Sequence, residues 1–487
     1  MRWLGPSRYR RTASARFLPT GHLVNSRDGN LMAAALDLGK RTMADPVVAV
    51  KSWQDAVRDP GLTTRGRTEH SERPPPGDSM SIQDQAARVA ALAARYTGEM
   101  TTFLRDMIAI PSESADERDV VARVAQEMRR VGFDEVKIDG LGNVLGRVGQ
   151  GPVVIAIDGH LDTVGVGDSS TWKRDPYKGE LRDGIIFGRG ASDQEAGIAA
   201  GVHGARIAKE LGLLGGVQLW VTGTVMEEDC DGLCWQYILE EGVLKPEVVV
   251  ITEPTNLGVY RGHRGRMEME VRTQGLSCHG SAPERGINAV YKMAPIVADI
   301  ERLNERLAAD ADPFLGKGSV TIAEVRSTSP SLCAVADSCT IHLDRRLTRG
   351  ETLERAVAQI QALESVTRAG ATVTVLDYAR ESYTGLTYPT KKYYPTWVVE
   401  ESAPAVRGAV AAAMKALGRP PVVDKWTFST NGIATCGLFG VPTIGFGPAN
   451  EVHAHTPEDQ CPVEHLTLAA QFYALFSQEY LNSVRQG

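Results

Sequence analysis

No stretch of this chain approaches the roughly 20 uninterrupted apolar residues that a membrane span requires, so a membrane-spanning helix is not expected. Positive charge is not in excess either. Lys and Arg number 53 against 60 Asp and Glu, a formal net charge of −7 that gives no global support for nucleic-acid binding. The seven cysteines are odd in number and scattered. They lack the spacing of a disulfide framework and fit a reducing, cytoplasmic setting. Cys230 and Cys234 could share a helix face as half of a zinc site, but buried small hydrophobic side chains are the expected reading. An apolar signal core is also missing near the start, which argues against secretion.

At 487 residues the chain is too long for one simple core, so two domains plus an unpacked segment are expected. Hydrophobic residues at 43% and charged residues at 23% are ordinary values and exclude wholesale disorder. The first 79 residues differ in kind. Six arginines precede Asp28, a weak resemblance to an organelle transit segment, and the breaker cluster Glu72-Arg-Pro-Pro-Pro-Gly-Asp78 lies just before Met80. Residues 1–79 are expected to be disordered, or an over-extended start ahead of a working protein that begins near Met80.

From Ile82 onward apolar helical spacing alternates with short runs of β-branched residues, which implies an α/β sheet with crossovers. The texture changes near Gly262. Between residues 261 and 379 the expected order is β-α-β-β-α-β, a ferredoxin-like module. It is inserted into a larger domain, which is thereby split into residues 80–260 and 380–487. A polar, Tyr-rich loop over residues 381–397 follows, a candidate either for the substrate pocket or for a packed surface lid.

Five places put acidic or imidazole groups at the ends of expected strands, where open α/β sheets carry ligand sites. The first is His160-Leu-Asp162, closing the apolar run that begins at Val153; the two side chains of an extended segment point the same way. Next come Gly188-Arg-Gly-Ala-Ser-Asp193 at a helix start, Glu227-Glu228-Asp229, and Glu253-Pro. The fifth is His453-Ala-His455. Imidazoles and carboxylates without paired cysteines suit Zn²⁺ or a similar divalent ion, and their number suits a two-metal hydrolase.

In this order, His-x-Asp, Gly-Arg-Gly-x-x-Asp, Glu-Glu, Glu-Pro and a late His, the chain resembles the co-catalytic zinc amidohydrolases and peptidases that include carboxypeptidase G, acetylornithine deacetylase and succinyl-diaminopimelate desuccinylase. The resemblance covers about residues 85–480. The stretches Lys425–Gly432, Pro330–Ala334, Asp344–Thr352 and Glu381–Gly385 resemble the YgeY-type branch of that family. The resemblance implies a mixed-sheet zinc-peptidase catalytic domain with an inserted dimerisation domain, and a homodimer. It implies two divalent ions, Zn²⁺ first with Co²⁺ or Mn²⁺ as alternatives. Asp193 would bridge them, His160 and Glu253 completing one site and Glu228 and His455 the other. Asp162 would orient His160, and Glu227 would be the general base, with the reverse assignment of Glu227 and Glu228 the competing choice. His453 competes with His455.

In the module, His279 matches the position from which relatives reach into the partner's active site to stabilise an oxyanion. Arg346 fits the family's carboxylate-binding arginine, with Arg345 competing; alternation would send the two to opposite faces. Asn288 would help at the substrate or oxyanion site, and Asn431 lies where relatives contact substrate. The implied reaction is hydrolysis of an amide bond in a small N-acyl amino acid or dipeptide bearing a carboxylate. The alternatives are an N-carbamoyl amino acid amidohydrolase and a non-catalytic metal-binding dimer.

Overall fold

The computed structural model describes residues 15–17, 22–27, 30–37, 42–43, 48–50 and 82–486. The chain divides into two compact units, Met1–Ser79 and Met80–Gly487. In the first, Ala15–Phe17, His22–Arg27 and Asn30–Asp37 pair antiparallel in sequence order, and Thr42–Met43 and Val48–Val50 also pair with Asn30–Asp37. The remainder of that segment, expected to be disordered or an over-extended start, lies outside the described residues. Among the described residues no helix is long and apolar enough to cross a membrane.

An eight-stranded mixed sheet organises the second unit. Its order is Val423–Asp424, Val259–Tyr260, Thr443–Gly445, Val248–Ile251, Val153–His160, Val217–Thr224, Val144–Val148 and Glu135–Ile138. The four central strands run parallel to one another, Val259–Tyr260 pairs antiparallel with Thr443–Gly445, and the last two strands also pair antiparallel. Val248–Ile251 is buried at every position, as a strand covered on both faces must be. The helices Ile82–Ile108, Glu195–Glu210 and Pro404–Leu417 all pack on Val463–Arg485. Glu195–Glu210 is rich in Ala and Gly because it has almost no free face. A Cβ on Gly197 would lie 2.7 Å from the Thr252 carbonyl oxygen, and one on Gly204 would lie 2.9 Å from that of Ala470. Small residues therefore let this helix start hard against the strand ends, which fixes where Asp193 emerges.

Between Gly265 and Val375 the chain forms strand, helix, strand, strand, helix and strand, with an added short helix Glu364–Ala369. The four strands lie antiparallel in the order Ser319–Thr328, Ser338–Leu347, Gly265–Gln274, Thr372–Val375. Met293, Ile296, Ile300, Leu303 and Leu307 make one helical stripe that packs on Met267, Met269, Val271, Ile341 and Leu343, an apolar core separate from that of the large sheet. The opposite face of the same strands carries Arg266, Glu268, Glu270, His342, Asp344 and Arg346. The chain crosses to and from this module through one antiparallel pair, Gly262–His263 with Trp397–Val398.

The Tyr-rich segment differs from the expected loop. It contributes Thr390–Lys391, Tyr393–Tyr394 and Trp397–Val398 as strands. Two-residue strands are too short for alternation to register in a sequence. The rest of the segment is strapped to the catalytic domain: Tyr383 donates its hydroxyl to the Gly142 carbonyl at 2.8 Å, and Thr384 bonds the Gly140 carbonyl at 2.9 Å.

Candidate active site

The ends of the four central parallel strands converge. Thr224 pairs with His160, and Ile251 pairs with both Asp158 and Gly445, so the residues that follow each strand arrive at one place. Asp193 stands in the middle. Its Oδ1 lies 3.1 Å from His160 Nε2 and its Oδ2 lies 3.2 Å from His455 Nε2. Glu253 Oε1 is 3.5 Å from His160 Nε2, and Glu228 Oε2 is 3.0 Å from His455 Nε2. Glu227 Oε2 also approaches His160, at 3.8 Å. His160, Glu227 and Glu253 offer ligand atoms within 4.8 Å of one another, and so do His160, Asp193 and Glu228. The five expected metal ligands are thus brought together, with the expected base among them.

His453 turns away and pairs with Gln460 at 3.1 Å. His455 reaches the cluster because its backbone is left-handed, with φ of 59°. Met226, ahead of the two glutamates, is likewise at φ of 62°. Such conformations cost non-glycine residues free energy and persist where surrounding contacts over-determine them. Here those contacts are visible. Met226 N–H donates to Glu117 Oε1 at 3.0 Å, and the Glu227 and Glu228 N–H groups donate to the Asp162 carboxylate at 3.1 and 2.9 Å.

Asp162 therefore acts differently from its expected role. His160 Nδ1 makes its hydrogen bond to the Asp162 main-chain oxygen at 2.7 Å, while the carboxylate is 3.6 Å away and accepts from Ser114 as well. The carbonyl fixes the imidazole so that Nε2 faces the cluster; the carboxylate fixes the turn of Glu227 and Glu228. A second support, which sequence reasoning left unassigned, is Asp459. It accepts from Gly190 N–H at 2.9 Å, Ser192 N–H at 2.7 Å and Arg189 at 3.2 Å, tying the loop after His455 to the approach to Asp193. Its position four residues after His455 was the only available signal.

Three expected substrate residues have other partners. Asn431 is buried and saturated: its amide N–H groups donate to Asp158 and Thr224, and its oxygen accepts from Gly232 N–H and Cys234. It is an interior knot and has no capacity left for substrate, which corrects the expectation. Asn288 has a structural role at the start of the module's long helix. Its side-chain oxygen caps the helix Ala289–Leu307, accepting from Val290 and Tyr291. Arg346 lies on the charged face of the module with its guanidinium on Asp344 at 2.8 and 2.9 Å. Arg345 points the other way, fully buried on Glu351, Gln359 and the Ser319 carbonyl. His279 is exposed on the module and accepts from Ser281.

Electrostatically the cluster is an acid-rich interior. Burial, reinforced by Asp193, pushes the Glu253 carboxyl up to about 8, and the same two causes push Glu228 to about 7. Burial likewise holds Glu227 well above the usual carboxylate range. Burial would raise Asp193 too, but hydrogen bonds from His160 and His455 keep it below its ordinary value. Contacts with Asp193 and Glu228 push His455 up to about 10. Buried Glu227 Oε1 and Glu253 Oε2 have no hydrogen-bond partner. The unpaired Glu253 oxygen, the two-sided Asp193 carboxylate and two imidazoles are a donor set that fits divalent cations.

The family model for peptidase family M20/M25/M40 matches residues 156–479. The uncharacterized protein YgeY of Escherichia coli K12 is 54% identical over 389 residues, covering 80% of this chain and 96% of that protein. Among solved structures, the yeast (Saccharomyces cerevisiae) di-peptidase Dug1p superposes with a TM-score of 0.60 at 15% identity, covering 82% of this chain and 98% of its own. The Bacillus subtilis YXEP protein, a dinuclear metal binding peptidase from the M20 family, gives a TM-score of 0.59 at 14% identity, over 79% of this chain and 98% of its own.

Two outcomes follow from this geometry. To serve as metal ligands, Glu228, Glu253 and His455 would have to give up protons that they hold below about 7, about 8 and about 10 respectively. Affinity for divalent ions is therefore expected to rise as pH climbs through that range and to weaken below it, and calorimetry in buffers of different ionisation enthalpy detects proton release on uptake. Asn431→Ala, which leaves Asp158 short of a buried partner, lowers stability by about 2–3 kcal/mol in urea unfolding. KM stays unchanged in that variant; a raised KM with intact stability would restore Asn431 to the substrate site.

Proposed function

Because this chain belongs to the M20/M25/M40 peptidase family, we propose that it is a metal-dependent hydrolase of the amide bond in a small N-acyl amino acid or dipeptide. The observation that carries the reading is the Asp193 carboxylate, one oxygen toward His160 and the other toward His455. His160, Glu253 and Asp193 would hold one ion, and Asp193, Glu228 and His455 a second. The donors suit Zn²⁺, with Co²⁺ or Mn²⁺ as alternatives. When bound, such a pair supplies the Lewis acidity that makes water a nucleophile and polarises a carbonyl at neutral pH.

The chain's own groups do the rest. Glu228 faces His455 and Asp193, which supports it as the ligand. Glu227 lies on the other side with Oε1 unpartnered, which supports it as the base. A buried carboxylate with raised proton affinity can take a proton from the attacking water and return it to the departing amine. Arg346 is proposed to take the substrate carboxylate in exchange for Asp344, since its planar fork matches either acid. His279, exposed on the module, is proposed to donate to the oxyanion in the partner's site of a homodimer, with Leu276, Ile287, Val290 and Tyr291 exposed nearby in sequence as apolar contact area. The free cysteines support a cytoplasmic setting.

A panel of N-acetyl, N-succinyl and N-carbamoyl amino acids and dipeptides tests the reading on the Zn²⁺-loaded chain. Turnover is expected to stop with a chelator. Glu227→Ala loses about 10³-fold or more in kcat yet still takes up two ions, whereas Glu228→Ala loses one ion. Full turnover in Glu227→Ala would overturn the assignment. Across the dimer, co-expressing Glu227→Gln and His279→Ala chains restores activity that neither has alone. If the mixture stays inert while forming heterodimers, His279 does not serve the partner.

A further inference from the structure

Six consecutive residues, Met226 to Asp231, carry four acids, and the proposed reaction uses only the first two, Glu227 and Glu228. The other two are occupied from an unexpected direction. Asp229 Oδ2 accepts from the Tyr378 hydroxyl at 2.8 Å and from Arg380 Nη1 at 2.7 Å. Asp231 Oδ2 accepts from Ser429 and faces Arg266 Nη2 at 3.4 Å. Arg266 belongs to the first strand of the inserted module, and Tyr378 and Arg380 to the chain leaving it. Between the two acids, Cys230 accepts the Tyr394 hydroxyl, and Tyr394 pairs in register with Arg266, whose guanidinium lies over the Tyr394 ring.

The turn is thus held on both sides. From within the catalytic domain, Glu117 and Asp162 hold its main-chain N–H groups. From the module and the chain leaving it, four donors, Tyr378, Arg380, Arg266 and Tyr394, hold its side chains. The local chain does not need those contacts to close, because Cys230 N–H already bonds the Met226 and Glu227 carbonyls. Their effect is to link the place of the module to the aim of Glu227 and Glu228. Asp231 is 9% exposed and can hardly exchange its partners for water, whereas the Asp229–Arg380 pair lies at the surface.

We propose that Asp229 and Asp231 are positioning residues: through them Arg266 of the inserted module, and Tyr378 and Arg380 of the chain leaving it, set the orientation of Glu227 and Glu228. This rests on the metal and base roles proposed above for those two glutamates. Because Glu228 is read as a ligand of one ion, loosening the clasp weakens that ion as well as slowing the reaction, without altering how substrate is held.

The test uses the full chain with Asp229→Asn, Tyr378→Phe, Arg380→Ala and Arg380→Lys, and with Arg266→Met as the counterpart on Asp231. Zn²⁺ is titrated into each metal-free chain calorimetrically, and kcat and KM are measured on whichever amide the parent chain hydrolyses. Asp229→Asn and Arg380→Ala are expected to bind the second Zn²⁺ about tenfold more weakly and to lose about tenfold in kcat, with KM within about threefold and melting temperature nearly unchanged. Arg380→Lys recovers most of both losses, and combining Asp229→Asn with Arg380→Ala adds little to either alone. Parent-like Zn²⁺ affinity and kcat in every variant would overturn the proposal, as would losses confined to KM. Zn²⁺ affinity reads the clasp even on a chain that turns over no amide, so its failure and that of the hydrolase reading remain separate results.

Discussion

Carboxylates do not gather in a protein interior without something to compensate them, because each one buried and ionised costs far more than a hydrogen bond returns. Asp162, Asp193, Glu227, Glu228 and Glu253 are all nearly inaccessible here, against two imidazoles, of which only His160 is fully buried. The fold tolerates this concentration in two ways. Asp162 is satisfied internally by two main-chain N–H groups and Ser114, so its charge serves structure. The other four are aimed at common ground. Their mutual repulsion is the physical counterpart of their affinity for cations, and the rest of the architecture is arranged to keep them from relaxing apart.

That arrangement reaches well into the domain. Asp158, one pleat below His160 in the same strand, is fully buried and held by Thr222 and Asn431, and Asn431 in turn grips the start of the helix Leu233–Glu240 that follows the acidic turn. Asp459 performs the same service between the Asp193 approach and the loop after His455. Each of these residues joins segments more than 190 residues apart in the chain. They pull together strand ends that a flexible loop would let drift, and they explain how left-handed backbone at Met226 and His455 can persist.

The range of what the sequence discloses follows from the same distinction. His160, Asp193, Glu228, Glu253 and the Glu227 beside them stand directly after apolar runs or a glycine-rich approach, and a run with its terminating residue can be read locally. The β-α-β-β-α-β order of the module was legible for a similar reason, since Met293 to Leu307 and Met267 to Val271 show helical and strand periods plainly. Asn431 was misread because an amide has no local signature of role. Whether it caps a helix, knots an interior or meets a substrate depends on partners such as Asp158, far away in sequence. Asp162 was half read: its spacing from His160 was informative, but a spacing cannot say whether carboxylate or carbonyl does the holding.

Glu227 and Glu228 show why the turn itself matters more than its composition. Two adjacent glutamates on a regular strand would point to opposite faces, and on a helix they would diverge by about 100°; neither gives two carboxylates that flank one aspartate. The left-handed residue at Met226 ends the strand before either register can continue, and one carboxylate then receives both N–H groups. With the main chain pinned at that point, one side chain goes toward His160 and the other toward His455. Any change that frees the pinned backbone would let the two exchange places at little cost, since they are chemically identical. Distinct directions for identical neighbours therefore have to be imposed by the frame around them, and Asp162 is the part of that frame in direct contact with both.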